Sequence, residues 1–118
     1  MATTITGELH GLDTKDTSEI SRLPRAYNYS VSASGGGTLR FKVEYYTGDE
    51  IALPGDGVNG SWVTLEDRQK IDSGNTLNGA FTLPHAVEPS QAETLLRLIF
   101  SRGMGTQGVD YNFQMSPA

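Results

Sequence analysis

"TLRFKVEYY", residues 38–46, decides the fold class, because apolar and polar residues alternate along it almost without a break. Every second residue from Leu39 to Tyr45 is apolar, and the residues between them are charged. This period of two predicts a β-strand with one buried face and one polar face. Tyr46 interrupts the alternation, since it places an aromatic ring on the polar side of the strand.

The same alternation occurs in residues 26–34 and 109–115, "AYNYSVSAS" and "VDYNFQM". Three glycines, at 35–37, separate the first of these segments from residues 38–46. Two alternating runs joined by a short glycine-rich connection predict an antiparallel hairpin, here over residues 26–46. Shorter strand candidates lie at residues 62–67 and 69–72, after the turn signals "PG" and "NG", and at residues 76–84, after the turn "SGN". The polar stretch 10–25 carries charges of both signs and is interpreted as a long loop.

Residues 89–103, "PSQAETLLRLIFSRG", are compatible with two structures. As a helix over 90–102, the segment has Ser90 as N-cap, Glu93 in a capping box and Gly103 after its end. As a strand, its apolar residues point to both sides, as in a central strand covered on both faces. It would then form a second hairpin with residues 109–115. We favour the strand because the rest of the chain has β character.

The sum is seven or eight short strands separated by turn residues, which is typical of an antiparallel β-sandwich of the jelly-roll kind. A chain of 118 residues suits one domain, residues 1–118, since it is long enough for one core and short for two. We therefore expect a single all-β sandwich with, at most, one short helix at 90–102.

Composition excludes several classes of function. The chain has no cysteine, which removes disulfides, thiol catalysis and thiolate metal sites. Its net charge is −5, and its nine basic residues are scattered, so neither nucleic acid nor an anionic membrane is an expected partner. The start "MATTITGELHGL" lacks the features of a signal peptide, and no apolar run is long enough to span a bilayer. We expect a soluble protein that is cytoplasmic, part of a virion, or released without a leader.

Catalytic motifs are missing from the sequence. His10 and His85 have no cysteine, histidine or carboxylate at metal-ligand spacing, and no serine lies in a nucleophile elbow. We therefore expect no enzyme, no catalytic residue, no metal site and no cofactor. One acidic stretch, Asp49, Glu50 and Asp56 with Asn59, has the oxygen ligands that calcium prefers, although its spacing does not match an EF-hand.

Aromatic residues provide the remaining clue to a ligand site. Most tyrosines lie on the predicted inner faces and are explained by core packing. Trp62 is different, because it begins a strand directly after the polar loop "GDGVNGS". We expect a ligand to be held by Trp62, Asp56, Asn59 and Tyr46, with aromatic rings stacking on it and polar groups beside them.

Two functions from different classes fit these features. The first is a non-enzymatic, lectin-like binding module for a glycan or another cell-surface ligand, including a protein surface. Weak sites of this kind work through multivalency, so a homo-oligomer is expected. The alternative is a self-assembling structural protein, such as a capsid decoration or tail component of a viral or phage virion. In that case the two-sided apolar run "LLRLIF", residues 95–100, would lie partly in a subunit interface.

Overall fold

The computed structural model describes residues 2–10, 15–46, 62–84, 93–103 and 107–118. These residues form eight antiparallel strands in two four-stranded sheets that pack as a sandwich. The strands are β1 (Thr3–Leu9), β2 (Lys15–Arg22), β3 (Ala26–Ser34), β4 (Thr38–Tyr46), β5 (Trp62–Asp72), β6 (Thr76–Thr82), β7 (Thr94–Arg102) and β8 (Val109–Pro117). Sheet A has the order β1-β8-β3-β6, and sheet B has the order β2-β7-β4-β5.

The pairing is nested: β1 pairs with β8, β2 with β7, β3 with β6, and β4 with β5. The chain is thus one long antiparallel hairpin that has been rolled up. Two further contacts, β3 with β8 and β4 with β7, complete the sheets. This is the arrangement of an eight-stranded jelly roll and confirms the predicted fold class.

Both predicted hairpins are wrong. β3 and β4 follow one another directly, yet β3 lies in sheet A and β4 in sheet B, and the same holds for β7 and β8. The glycines at 35–37 carry the chain from one sheet to the other, with positive φ at Gly35 and Gly36. A glycine-rich connection can lead the chain into the opposite sheet as readily as it can form a hairpin within one sheet.

The strand interpretation of residues 89–103 is confirmed where the structure describes them, and the helix over 90–102 is wrong. β7 is the neighbour of both β2 and β4, so its side chains are placed by two partners. No helix among the described residues has the length and apolar character needed to cross a membrane.

The loop predicted over residues 10–25 is also wrong in part, because residues 15–22 form β2 at the edge of sheet B. Only Ile20 of this strand packs against the hydrophobic core. The other inward side chains are polar, and two of them bond to sheet A: Asp16 accepts from the Tyr111 hydroxyl, and Arg22 donates from Nη2 to Oγ1 of Thr3 at 2.7 Å. An edge strand needs little apolar surface, and the hydrophobic pattern therefore gave no signal for it.

The core follows the predicted alternation in β3, β4 and β8. Tyr27, Tyr29, Val31 and Ala33 are buried, and their intervening neighbours are not. At the centre, the rings of Phe41, Phe100 and Phe113 come from three strands and both sheets, and the centroids of Phe41 and Phe113 lie 5.2 Å apart. The buried hydrophobic residues form one cluster: Leu9, Tyr27, Tyr29, Val31, Ala33, Leu39, Phe41, Val43, Ile71, Phe81, Leu83, Leu96, Leu98, Phe100, Val109, Tyr111, Phe113 and Met115.

A tyrosine closes one open side of the sandwich. Tyr111 stacks on Phe100 and lies across Gly7, its cross-strand partner on the edge strand β1. From there its hydroxyl reaches the opposite sheet and donates to Oδ2 of Asp16 at 2.7 Å. Burial, together with this hydrogen bond, raises the pKa of Tyr111 well above its ordinary value. The hydroxyl therefore remains a donor throughout the physiological range.

The other open side is closed in the same way. Tyr29 lies across Gly79 of the edge strand β6, and its hydroxyl donates to Oε1 of Glu66 on β5 at 3.0 Å. Arg68 adds a charge to this group, since its Nη2 lies 3.6 Å from Oε1 of Glu66. Each side thus combines an edge glycine, a tyrosine from the neighbouring strand and a carboxylate from the other sheet.

We expect Gly7→Ala and Gly79→Ala to destabilise the fold. A Cβ atom would clash with the Tyr111 hydroxyl oxygen in the first variant and would lie 2.5 Å from the Tyr29 hydroxyl oxygen in the second. The ring would have to move, which would weaken its packing and its bond to the opposite sheet. The free energy of unfolding should fall by about 1–3 kcal/mol, as measured by urea denaturation.

Two matched controls are Thr6→Ala and Asn78→Ala, which change exposed residues next to the two glycines. Their effects should stay within about 0.5 kcal/mol. Glycine variants as stable as these controls would contradict the proposed closing role of the tyrosines.

Candidate ligand-binding surface

Tyr46 and Trp62 lie opposite each other on the outer face of sheet B, at the end of β4 and the start of β5. Their ring centroids are 5.3 Å apart, and the ring planes are tilted by 55°. Both side chains are partly exposed. Tyr46 points outward, on the same side of β4 as Lys42 and Glu44, because every second residue of a strand faces the same way. The sequence predicted this orientation. The two aromatic residues of the predicted site are therefore adjacent.

Arg97 of β7 packs over the Trp62 ring of this pair. Its guanidinium carbon lies 4.1 Å from the centroid of the Trp62 ring, which is cation–π geometry. Glu44 accepts two hydrogen bonds from it, from Nε at 2.9 Å and from Nη2 at 2.5 Å. The guanidinium is thus fixed from two directions, and within the described residues its Nη1 has no hydrogen-bond partner.

Glu44 lies on the outer, polar side of β4 but is buried, with 7% of its surface exposed. Its carboxylate is compensated on both sides, because Lys42 lies 3.7 Å from Oε2 while Arg97 holds Oε1. A buried carboxylate with these two cations costs less than an unpaired one. Glu44 therefore fixes Arg97 in position beside the aromatic rings.

A depression of about 230 Å³ continues along the same face, in the direction away from Trp62. Its polar lining is mainly basic, from Lys15, Arg40 and Lys42, with Asp67 as the acidic member. Phe41 and Ile99 are the apolar residues of its lining. Successive rows of outward residues are about 6.6 Å apart along a strand, so the aromatic pair, the Glu44–Arg97 pair and this depression form one continuous strip.

The two other predicted site residues, Asp56 and Asn59, lie outside the described residues, as do His85 and the acidic stretch 49–59. Their assignment to a ligand site or to calcium remains a prediction. The structure brings together Trp62 and Tyr46, and it adds Arg97 and Glu44 to them.

A separate polar cluster lies on sheet A. Glu8 and Asp110 are cross-strand partners on β1 and β8, and Nε2 of His10 lies 2.7 Å from Oδ1 of Asp110. The hydrogen bond to Asp110 raises the pKa of the His10 imidazole above its ordinary value. Among the described residues, Glu8, His10 and Asp110 form the group of histidine and carboxylate side chains whose ligand atoms lie close enough together to hold a metal ion.

Sequence reasoning missed Arg97 and Glu44 as members of the site. A signal for Arg97 exists, because an arginine within the apolar run "LLRLIF" needs a partner for its charge. The partner could not be identified from the sequence. Glu44 is 53 residues away and becomes its neighbour only through the pairing of β4 with β7.

No protein-family model matches the chain, and no curated protein matches it. Solved structures of similar architecture include a carbohydrate-binding module of the β-sandwich superfamily, with 9% identity over 96% of this chain and 51% of that one, and a TM-score of 0.48. The Yersinia pseudotuberculosis-derived mitogen has 10% identity over 100% of this chain and 86% of the mitogen, with a TM-score of 0.47. A protein of infectious bursal disease virus, Gt strain, has 11% identity over 99% of this chain, with a TM-score of 0.43. This chain spans 31% of the viral protein. At these values the likeness concerns the β-sandwich architecture alone.

We expect Arg97→Ala to uncover the Trp62 ring and to leave the buried Glu44 carboxylate with Lys42 alone. The free energy of unfolding should fall by about 1–3 kcal/mol. Trp62 is the sole tryptophan, so intrinsic fluorescence reports on this site directly, and its emission should shift to longer wavelength.

Lys15→Ala is the control, since it removes an exposed cation from the same face, away from the tryptophan. Its emission spectrum should match that of the unchanged protein. An unchanged spectrum in Arg97→Ala would contradict the stacking of the guanidinium on the ring.

Proposed function

We propose that the protein is a non-catalytic, lectin-like binding module that holds a glycan on the outer face of sheet B. The observation that supports this most directly is the partly exposed pair Tyr46 and Trp62 beside a guanidinium whose position is fixed. An aromatic ring can pack against the apolar face of a sugar, while the sugar hydroxyls require directional polar partners. Arg97 supplies a donor, Nη1, at the edge of the aromatic surface.

Preorganisation favours a binding role for this group. Arg97 loses little freedom when a ligand arrives, because Glu44 and the Trp62 ring already hold it. The entropy cost of ordering a long side chain is then met during folding rather than during binding. A weak ligand such as a single sugar benefits most from this arrangement.

The basic depression indicates which glycans fit best. It is lined by Lys15, Arg40 and Lys42 together with Asp67, and it continues the strip that begins at Trp62. A glycan that places a neutral ring on the aromatic pair and a carboxylate or sulfate over the depression would meet both ends of the strip. We therefore propose acidic oligosaccharides as the preferred ligands, with affinity that falls as salt is added.

We expect a broad glycan array, probed in the presence and absence of calcium, to give hits whose binding shifts Trp62 fluorescence. Trp62→Ala should abolish binding to these hits, because it removes half of the aromatic surface and the support of Arg97. Trp62→Phe should retain part of the affinity, since a ring remains for stacking.

Leu23→Ala is a matched control, because Leu23 is an exposed apolar residue outside this surface, with 53% of its area accessible. It should bind the same glycans as the unchanged protein. The absence of any hit across the array, or hits that persist in Trp62→Ala, would refute the glycan-binding proposal.

Self-assembly of a structural protein is the second candidate, and one observation favours it. Leu95 and Ile99 of the run "LLRLIF" point to the outer face of sheet B, where they are only partly buried and flank Arg97. A subunit interface over this face would cover these apolar side chains and the aromatic pair together. A homo-oligomer is also what a multivalent glycan binder would use.

Light scattering over a range of concentrations, combined with fluorescence, separates the two candidates. Assembly through this face should give a defined oligomer, and dilution should shift the emission of Trp62. The double variant Leu95→Ser, Ile99→Ser should then be monomeric. A strict monomer at high concentration would exclude assembly through this face, while glycan binding by single chains would remain open to the array experiment.

A further inference from the structure

We propose that Glu8, His10 and Asp110 form a binding site for a divalent transition-metal ion, for which Zn²⁺ is the probe. The site is independent of the glycan surface. It lies on the outer face of sheet A, next to the end of β4 that begins at Thr38, whereas Tyr46 and Trp62 lie at the other end of β4 and on sheet B.

The register of β1 and β8 creates the cluster. Glu8 is paired directly with Asp110, so their carboxylates leave the sheet side by side. His10 follows Glu8 by two residues and therefore lies on the same side of the sheet. One ligand atom from each residue lies within 4.8 Å of the other two. Ligands of a tetrahedral zinc ion are about 3.3 Å apart, so small side-chain rotations are sufficient to enclose the ion.

Electrostatics favours a dication at this position. Two like charges directly opposite each other on neighbouring strands destabilise a sheet. The hydrogen bond from His10 relieves this for Asp110, while an ion between both carboxylates would relieve it for both. One cation opposes the ion: Arg102 donates from Nη1 to the backbone oxygen of His10 at 3.4 Å. Two carboxylates outweigh this single charge.

The imidazole is already positioned. The His10 ring lies against Gly108, where a Cβ atom would come within 2.9 Å of the ring atoms Cγ and Cδ2. The backbone of Gly108 is itself fixed, because its oxygen accepts a hydrogen bond from the amide of Gly37 at 2.9 Å. The absence of a side chain at residue 108 therefore sets the place of the ring, and Nε2 faces the carboxylates.

The donor set defines the class of ion. One imidazole nitrogen with two carboxylate oxygens suits Zn²⁺ and its first-row neighbours, whereas calcium prefers oxygen ligands alone. Three protein ligands would leave at least one coordination position for water or for an oxygen of a partner molecule. Such a position allows the ion to join this protein to another surface.

The test is isothermal titration of the full chain with ZnCl₂ in a buffer that does not chelate zinc. We expect one saturable site for each chain. His10→Gln and Asp110→Asn should each weaken binding by at least about tenfold, because each removes a direct ligand. CaCl₂ should bind far more weakly than ZnCl₂ and should be insensitive to His10→Gln.

Two control variants distinguish this site from adventitious binding. Asp72→Asn removes an exposed carboxylate on sheet B, and His85→Gln removes the other histidine of the chain; each should change the zinc affinity by less than about twofold. A thermal unfolding transition first establishes that each variant is folded, and zinc affinities are compared among folded variants. Lack of saturable binding, full affinity in His10→Gln, or loss of affinity in His85→Gln would each overturn the proposal.

Discussion

Two tyrosine hydroxyls join the sheets of the sandwich at the borders of one continuous hydrophobic core. Tyr111 and Tyr29 start in sheet A, pass over edge glycines and bond to carboxylates of sheet B. These bonds satisfy polar groups at the two places where a sandwich is open to water. They lie at the borders of the core, in which the phenylalanine rings pack. The outer faces are then free to carry other chemistry, because alternate residues of the same strands face away from this core.

Much of the fold could be predicted because the inner faces of β3, β4 and β8 alternate strictly. The parts that were missed have physical reasons. β2 has one apolar inward residue, Ile20, since an edge strand can be held by polar bonds such as that of Arg22 to Thr3. The hairpins were assigned wrongly because glycine permits the backbone conformation of a turn without determining which sheet the chain enters next. Topology results from pairings distant in sequence, and these leave no local signal.

The candidate sites, like the fold, could be predicted only in part from the sequence. Trp62 and Tyr46 could be identified because each departs from its local pattern, one by opening a strand and the other by breaking a polar face. Arg97 with Glu44, and His10 with Asp110, could not be paired from the sequence, since 53 and 100 residues separate them. A side chain's chemistry is visible in a sequence, but its partner across a sheet is not. Both sites thus required the register of the strands before their chemistry became visible.

The nested pairing also constrains the order in which the molecule can fold. β4 and β5 are consecutive strands, whereas β3 must find β6, β2 must find β7, and β1 must find β8 across increasing lengths of chain. Each later pairing closes a larger loop unless the preceding one has already brought its ends together. Folding is therefore expected to begin with the pairing of β4 and β5 and to continue with the outer pairs in turn. It should be slow for a domain of this size, because most pairings join strands that are distant in sequence. Sheet A is then expected to be completed last, because the pairing of β1 with β8 closes the largest loop of all.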